Sequence, residues 1–162
     1  MTRQFAVFLG IGLLVVGIIL FLTVYGTKGA HLTLEGKILK VRALATDEKN
    51  SILVVDFRVG NDTKTRFVVR DGSIKITTAD GKQVEGETIA RSDMNRVFDY
   101  YKLLGPKYNE ILIQRDKIDG GQSIDRMLAA RFEIPAADLE QRKSVALTLN
   151  DVDGPSFIFV AK

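Results

Sequence analysis

The chain has 162 residues, of which 46% are hydrophobic and 27% are charged, with a mean hydropathy of +0.06 and a net charge of +3. This length accommodates one domain and an appendage, and the apolar fraction excludes a disordered chain. The absence of cysteine and the single histidine exclude a disulfide scaffold, a zinc ribbon, an iron–sulfur site and a thiol nucleophile, so we expect neither an enzyme nor a cofactor.

Phe5 to Tyr25 form an uninterrupted apolar stretch, bounded by Arg3 and Lys28. A helix of this length, rising about 1.5 Å per residue, spans roughly the 30 Å hydrocarbon core of a bilayer. A cleaved signal peptide is the alternative, but its apolar core is normally only about 7–15 residues long. We therefore predict a tail, a transmembrane anchor in contact with the lipid bilayer, and a linker, over residues 1–4, 5–25 and 26–31.

From Leu32 onward, apolar and polar residues alternate over short runs that turn residues separate. The clearest alternation predicts a strand at the centre of a sheet and consists of Leu53, Val55, Phe57 and Val59. Further strands are expected over residues 32–43, with a bulge near residue 38, and over residues 67–69, 74–78, 111–113, 127–134, 145–149 and 157–160.

Two Asp-Gly pairs, Asp71-Gly72 and Asp80-Gly81, are expected to form tight turns, because this dipeptide adopts the left-handed backbone that such turns need. Seven or eight strands in one domain of this length are typical of two packed antiparallel sheets. We therefore predict a mainly β fold for residues 32–162, an immunoglobulin-like antiparallel β-sandwich with one inserted helix, preceded by a single N-terminal transmembrane helix.

The inserted helix is predicted between Ser92 and Gly105. Apolar residues recur there at the three- and four-residue spacing of an amphipathic helix: Met94, Val97, Phe98, Tyr101 and Leu104. Ser92 is expected to cap the start of the helix, and Gly105 before a proline is expected to end it. A second, shorter helical turn is expected after Pro135, through Ala136 to Arg142.

Three of the four tyrosines lie in this helix or just after it, among basic residues. Tyrosine and arginine are enriched in protein interfaces. The candidate partner-binding residues are therefore Arg96, Tyr100, Tyr101, Lys102 and Tyr108. The alternative interpretation is that Tyr101 packs the helix onto the sandwich, while Tyr100 and the cations are only solvated.

Two stretches rich in aspartate are the remaining candidates for a catalytic or metal-binding site. Asp116, Asp119 and Asp125 surround a Gly-Gly pair, and paired carboxylates perform acid–base catalysis where a cleft separates their pKa values. Asn150 to Gly154 resembles part of a calcium loop, but alignment on its glycine places Val160 where an oxygen ligand is needed. We therefore expect a polar turn there, and no catalytic, cofactor-binding or metal-binding residues.

Four stretches resemble bacterial membrane-anchored immunoglobulin-like domains of unknown function. Residues 53–63, LVVDFRVGNDT, are similar to the second strand of that family, which leads into an Asn-x-Thr turn. Asp119 to Ser123 occupy the place of its Pro-Gly-rich turn, with Gly120 where proline is usual. Arg131 to Pro135 resemble its penultimate strand, and Val145 to Asp151 its closing strand.

The resemblance covers about residues 32–153 and implies an extracytoplasmic β-sandwich, relative to which the helix over residues 92–105 is an insertion. It also decides the expected orientation. Arg3 precedes the anchor and several cations follow it, so charge alone favours a cytoplasmic C-terminal domain. We instead expect a single-pass protein of the inner (cytoplasmic) membrane with its C-terminal domain outside the cytoplasm.

These features favour a protein-binding or structural module of the bacterial envelope, whose partner is another envelope membrane protein. Positive and negative residues alternate along residues 32–162, so we expect no nucleic-acid partner, which would need a basic stripe on one face. One alternative is a periplasmic domain that handles a small ligand or a lipid in an apolar cleft between the sheets. A weaker alternative is a hydrolase that uses the three aspartates.

Overall fold

The computed structural model describes the backbone of residues 3–27 and 32–162, and the side-chain environments of residues 8–23 and 32–162. The chain divides into two compact units, Met1–His31 and Leu32–Lys162. We call the second unit the head domain. Parts of the predicted tail and linker, residues 1–2 and 28–31, lie outside the described residues.

Helix α1, Arg3–Thr27, forms the first unit and contains the whole apolar stretch. Every described side chain from Phe8 to Thr23 is exposed. Thr23 Oγ1 donates a hydrogen bond of 2.6 Å to the carbonyl oxygen of Ile19. Among the described residues, no helix has the length and apolarity of a membrane span.

The head domain is mainly β. Its elements in chain order are β1 (Leu34–Ala45), β2 (Ser51–Asn61), β3 (Phe67–Thr77), β4 (Gln83–Glu85), β5 (Glu87–Thr88), α2 (Arg91–Tyr100), a 3-10 helix (Lys102–Leu104), β6 (Glu110–Ile111), β7 (Lys117–Ile118), β8 (Gln122–Phe132), α3 (Ala136–Glu140), β9 (Ser144–Asp151) and β10 (Ser156–Ala161).

The strands form two sheets that pack as a sandwich. In the first sheet the order is β1, β2, β8, β5, and β6 also pairs with β8; in the second the order is β10, β9, β3, β4, and β7 also pairs with β3. The expectation of purely antiparallel sheets is wrong at one pair, since β6 runs parallel to β8. Both β5 and β6 pair with the edge of β8 that β2 does not occupy. They run in opposite directions, so β5 is antiparallel and β6 is parallel to β8.

The β2 strand lies at the centre of the first sheet, between β1 and β8, as predicted. The bulge expected near residue 38 is confirmed, because the register between β1 and β2 shifts between Ile38 and Lys40. One face of β2 points into the core between the sheets. Its fully buried side chains on that face are Leu53, Val55, Phe57 and Val59.

The predicted turn at Asp71-Gly72 is wrong, because both residues lie inside β3. A Cβ on Gly72 would lie 3.1 Å from Leu128 Cδ2 and 3.2 Å from Leu112 Cδ2, so the glycine allows close packing at this point. At Asp80-Gly81 a turn does form, with a φ of +91° at Gly81. Tertiary packing therefore overrides the local turn signal at the first pair.

The amphipathic helix is confirmed as α2 followed by the 3-10 helix, but its expected cap is wrong. Ala90 occupies the cap position and its carbonyl oxygen accepts the N–H of Asp93 at 3.0 Å, so Ser92 lies inside the first turn. Gly105 ends the helical segment with a φ of +74°, as expected. The short helical turn after Pro135 is α3, which joins β8 to β9.

The turn before β8 needs a glycine at position 120. A Cβ there would overlap the carbonyl oxygen of Thr63 and lie 3.1 Å from the Cα of Lys64, and both neighbours are backbone atoms. A side chain at this position therefore does not fit unless the facing backbone shifts. We predict that Gly120→Ala lowers the free energy of unfolding in urea by about 1–3 kcal/mol, the usual cost of overpacking.

Gly60→Ala is the matched control for this prediction. A Cβ on Gly60 would meet no atom closer than 3.7 Å, which is an ordinary contact. Its free energy of unfolding is therefore expected to change by less than about 0.5 kcal/mol. Equal losses in the two variants would contradict the role of Gly120.

Candidate functional site

The chain leaves the first sheet after β5 and returns to it at β6, and we call residues 89–109 between these strands the insert. The apolar side of α2 packs on the outer face of the first sheet and forms a second core there, which leaves β2 buried on both faces. The buried residues of this second core are Ile52, Val54, Met94, Phe98, Leu104, Met127 and Ala129.

An ion pair lies beneath the insert. Arg42 of β1 and Asp56 of β2 are joined by a 2.7 Å contact between Nη2 and Oδ2, and their side chains are only 9% and 2% exposed. The other oxygen of Asp56, Oδ1, accepts a hydrogen bond of 2.9 Å from Nδ2 of Asn109, at the end of the insert. Asp56 therefore binds both the neighbouring strand and the insert.

Arg42 connects the first sheet to the insert by both polar and aromatic contacts. Its Nη1 donates hydrogen bonds to the carbonyl oxygens of Leu104, at 2.7 Å, and Pro106, at 2.9 Å. Its guanidinium lies 5.4 Å from the ring centre of Phe98 and 5.0 Å from that of Tyr108, which is the range of cation–π contacts. The buried Nε has no hydrogen-bond partner among the described residues. One guanidinium thus fixes the insert at four points.

The opposite side of α2 and the turn after it face solvent. Tyr100 is 80% exposed and Leu103 is 90% exposed. The Tyr100 ring packs edge-on against the ring of Tyr101, with centroids 4.8 Å apart. Lys102 Nζ lies 3.9 Å from Oδ1 of Asp99. Large aromatic and aliphatic side chains are therefore presented to solvent from a segment whose other side is buried.

We call Arg96, Tyr100, Lys102 and Leu103 the exposed ridge. Arg96 is exposed and has no ion pair among the described residues. Leu103 was missed by the sequence reasoning, although it is the most exposed apolar side chain of the head domain. Its neighbour Leu104 is only 3% exposed, as the helical spacing that includes Leu104 and omits Leu103 predicts.

Tyr101 is half-buried and packs the insert onto the sheet, as the alternative interpretation of the patch expected. It lines a groove of about 610 Å³ together with Ile52, Ile89 and Val97. Its ring contact with Tyr100 nevertheless keeps it next to the exposed ridge.

Tyr108 is 54% exposed and lies among cations of β1. Its hydroxyl accepts a hydrogen bond of 3.2 Å from Lys40 Nζ, which also lies 4.3 Å from the centre of the ring. The structure therefore brings Tyr100, Tyr101 and Lys102 together but places Tyr108 with Lys40 and Arg42. Neither of these two cations was among the predicted site residues.

The three aspartates of the hydrolase alternative are each paired with a different arginine. The pairs are Asp116 with Arg126, Asp119 with Arg66, and Asp125 with Arg58. Hydrogen bonding from Arg58 lowers the pKa of Asp125. At the end of β9, the carboxylate of Asp151 accepts the backbone N–H of Val68 at 2.9 Å. Within the part of the chain that the structure describes, no three His, Cys, Asp or Glu side chains are placed to hold a metal ion.

Neither a family model nor a curated protein matches this chain. A candidate lipoprotein from Bacillus subtilis is 14% identical, with a TM-score of 0.49, over 80% of this chain and 36% of its own length. An uncharacterised β-sandwich protein from Clostridium difficile is 12% identical, with a TM-score of 0.41, over 82% of this chain and 90% of its own. The archaellum periplasmic stator protein FlaG from Sulfolobus acidocaldarius is 6% identical, with a TM-score of 0.37, over 80% of this chain and 100% of its own. These similarities concern the fold alone.

Proposed function

We propose that this protein is a single-pass protein of the bacterial inner membrane, whose head domain is an extracytoplasmic protein-binding or structural module. In this proposal α1 is the anchor, and another envelope membrane protein contacts the exposed ridge. The observation that carries the proposal is the exposure of Tyr100 (80%) and Leu103 (90%) on an insert that Arg42 holds against the sheet.

A fixed insert favours binding for an energetic reason. When a partner binds a mobile loop, the backbone of that loop must become ordered, at a cost of about 1–2 kcal/mol per residue. The ridge is already ordered by the second core and by the hydrogen bonds of Arg42, so this cost is reduced. Tyrosine, with few rotatable bonds, and arginine are the side chains that most often dominate interface energies.

The strand order supports an immunoglobulin-like head domain and, through it, the resemblance to anchored domains of that class. Strands β1, β2, β8 and β5 correspond to A, B, E and D, and β3, β9 and β10 correspond to C, F and G. The three-residue strand β4 lies beside β3 as an added strand next to C. The insert then occupies the connection between D and E.

The anchoring part of the proposal is supported by the composition and the exposure of α1. From Phe8 to Thr23 the helix has no charged residue, and each of these side chains is exposed. A helix that is apolar on all sides is stable when protein or lipid surrounds it.

Reporter fusions after Lys162 test the membrane topology. Alkaline phosphatase, which folds only outside the cytoplasm, is expected to be active there, whereas green fluorescent protein at the same position is expected to stay dark. Both fusions should remain in the membrane fraction after a high-salt wash. A fluorescent, phosphatase-inactive pair would place the head domain in the cytoplasm and contradict the proposed location.

Photocrosslinking in cells tests the exposed ridge. A photoreactive amino acid at position 103 of the full chain is expected to capture a membrane protein, and the triple variant Arg96→Ala/Tyr100→Ser/Lys102→Ala is expected to reduce that capture at least fivefold, since a single hot-spot residue contributes about 1–2 kcal/mol or more. The control places the same photoreactive group at Ile158, which is 64% exposed on β10. An unchanged set of captured proteins in the triple variant would remove the ridge from the proposal.

A further inference from the structure

An open groove of about 730 Å³ lies between β3, the start of the insert and the segment that follows β6. Most of its lining is apolar: Val69, Ile89, Ala90, Leu112, Ile113 and Leu128. Beneath it the protein is tightly packed, since Gly72 approaches Leu112 and Leu128 too closely for an unstrained side chain. The groove is therefore a surface feature beside a filled core, of a size within the roughly 300–1,000 Å³ range of small-molecule sites.

A second groove, of about 450 Å³, adjoins the first. Arg91 and Ile113 line both grooves, so these two residues mark the junction. The second groove is more polar, and its lining includes Asn95, Lys107 and Asn109. The pair of grooves thus offers an apolar compartment that leads into a polar one.

The acidic groups along these grooves are already paired within the protein. A hydrogen bond from Asn150 lowers the pKa of Asp71, and so does the contact with Arg70 at 2.9 Å. In the second groove, Asp116 and Glu110 both bind Arg126, at 3.1 and 3.7 Å.

Within the described part of the chain, the basic groups of the same grooves have no acidic partners. Arg91 has neither an ion pair nor a side-chain hydrogen bond among the described residues. The contacts of Lys107 with described residues are to neutral groups, the side-chain oxygen of Asn95 at 2.5 Å and the ring of Phe98 at 5.7 Å. Glu110 and Asp116 share one arginine, so one carboxylate charge is left to set against the two cations Arg91 and Lys107. The grooves therefore keep a net positive charge of about one, beside an apolar surface.

We propose that the two grooves bind a single-chain amphiphile with an anionic group. Its hydrocarbon chain lies against Leu112, Ile113 and Leu128, and its carboxylate or phosphate lies at Arg91 and Lys107. This ligand site is separate from the exposed ridge and goes beyond the protein-binding role proposed above. An extended peptide fits less well, because six of the eleven residues that line the larger groove are apolar and few polar groups are left to bind a peptide backbone.

A photoreactive decanoate tests the site on the full chain in phosphatidylcholine nanodiscs. Labelling, mapped by mass spectrometry, is expected to concentrate in the peptides that contain residues 89–91 and 111–114 and to fall when excess decanoate is added. Decanol and decyltrimethylammonium are expected to compete at least tenfold more weakly, because they lack the negative charge. Equal competition by all three compounds would overturn the proposal.

The variant Arg91→Gln is expected to weaken decanoate binding about tenfold, which corresponds to about 1.4 kcal/mol. Arg96→Gln is the matched control, since it removes an exposed arginine from the same helix outside the grooves, and its labelling should equal that of the unaltered chain. Circular dichroism verifies that both variants are folded. Equal labelling of the two variants would overturn the assignment of the anionic group to Arg91.

Two further arms identify the occupant. Competition by lysophosphatidylglycerol, which has one acyl chain, would show that a membrane lipid can supply the anionic amphiphile when it is placed in the nanodiscs. Competition by decanoate alone would show that a free acid does so; both results support the site. If labelling of the groove peptides falls as the protein concentration rises, and does not respond to added decanoate, a second copy of the chain covers the grooves. That result would overturn the proposal.

Discussion

Replacing Asp56 with alanine is expected to lower the free energy of unfolding of the head domain by about 3–5 kcal/mol, the usual result of removing one partner of a buried ion pair. The Arg42 side chain is only 9% exposed, so the variant leaves its guanidinium buried without an opposite charge. Asn109 loses its acceptor as well. Urea unfolding of the full chain, followed by far-ultraviolet circular dichroism, measures the change.

The matched control is Asp125→Ala, which also removes an aspartate that pairs with an arginine on the first sheet. The side chains of Arg58 and Asp125 are 58% and 34% exposed, so water screens their attraction and solvates the arginine that remains. We expect this variant to lose less than about 1 kcal/mol. Equal losses at positions 56 and 125 would contradict the importance of burial for the first pair.

Tyrosine fluorescence distinguishes release of the insert from unfolding of the sheets, because three of the four tyrosines lie in the insert and the chain has no tryptophan. In Asp56→Ala the fluorescence transition is expected at lower urea concentration than the circular dichroism transition. The double variant Arg42→Met/Asp56→Leu removes both charges and is expected to regain most of the free energy. Its insert still lacks the hydrogen bonds to Leu104 and Pro106, so the two transitions should remain separate.

The strand β2 illustrates how far the sequence can predict this fold. Alternation of Leu53, Val55 and Phe57 identifies one buried face and a central position, and both are confirmed. The residues between them, Val54 and Asp56, are buried too. The insert covers them, with α2 over Val54 and Asn109 against Asp56. These residues lie about forty or more positions later in the chain, and periodicity within a strand does not indicate which distant element packs on it.

The partner of Asp56 could not be predicted from strand pairing either. Directly across from Asp56 on β1 is Lys40, and Arg42 is across from Val54. Arg42 reaches Asp56 diagonally, at a distance that long side chains cover. The insert favours this choice because its carbonyl oxygens and its aromatic rings surround the guanidinium.

The candidate surface was predictable in composition but not in arrangement. The sequence places tyrosines and cations near one helix, and Tyr100, Lys102 and Arg96 are exposed there. Whether Tyr108 joins them depends on the course of the chain after Gly105, which brings its ring to Lys40. Turn geometry of this kind follows from tertiary contacts and leaves no periodic signal.

Phe57→Ala is expected to lower the free energy of unfolding of the head domain by about 3–5 kcal/mol, the typical cost of truncating a buried phenylalanine. Phe57 is fully buried on the central strand, where both sheets contribute to the core around it. The surrounding strands are hydrogen-bonded on both sides of β2 and cannot close the cavity completely. Circular dichroism and tyrosine fluorescence should shift together here, because the insert rests on the sheet that is weakened.

Ile158→Ala is the control, because Ile158 is also an apolar residue of an alternating strand. It is 64% exposed on β10, so its truncation creates no cavity and is expected to change the free energy of unfolding by less than about 0.5 kcal/mol. A loss at Ile158 as large as that at Phe57 would mean that the outer face of β10 is covered in solution. Comparing the losses of unfolding free energy in the two variants therefore tests the packing of Phe57 in the main core. It also tests whether the outer face of β10 is exposed to solvent.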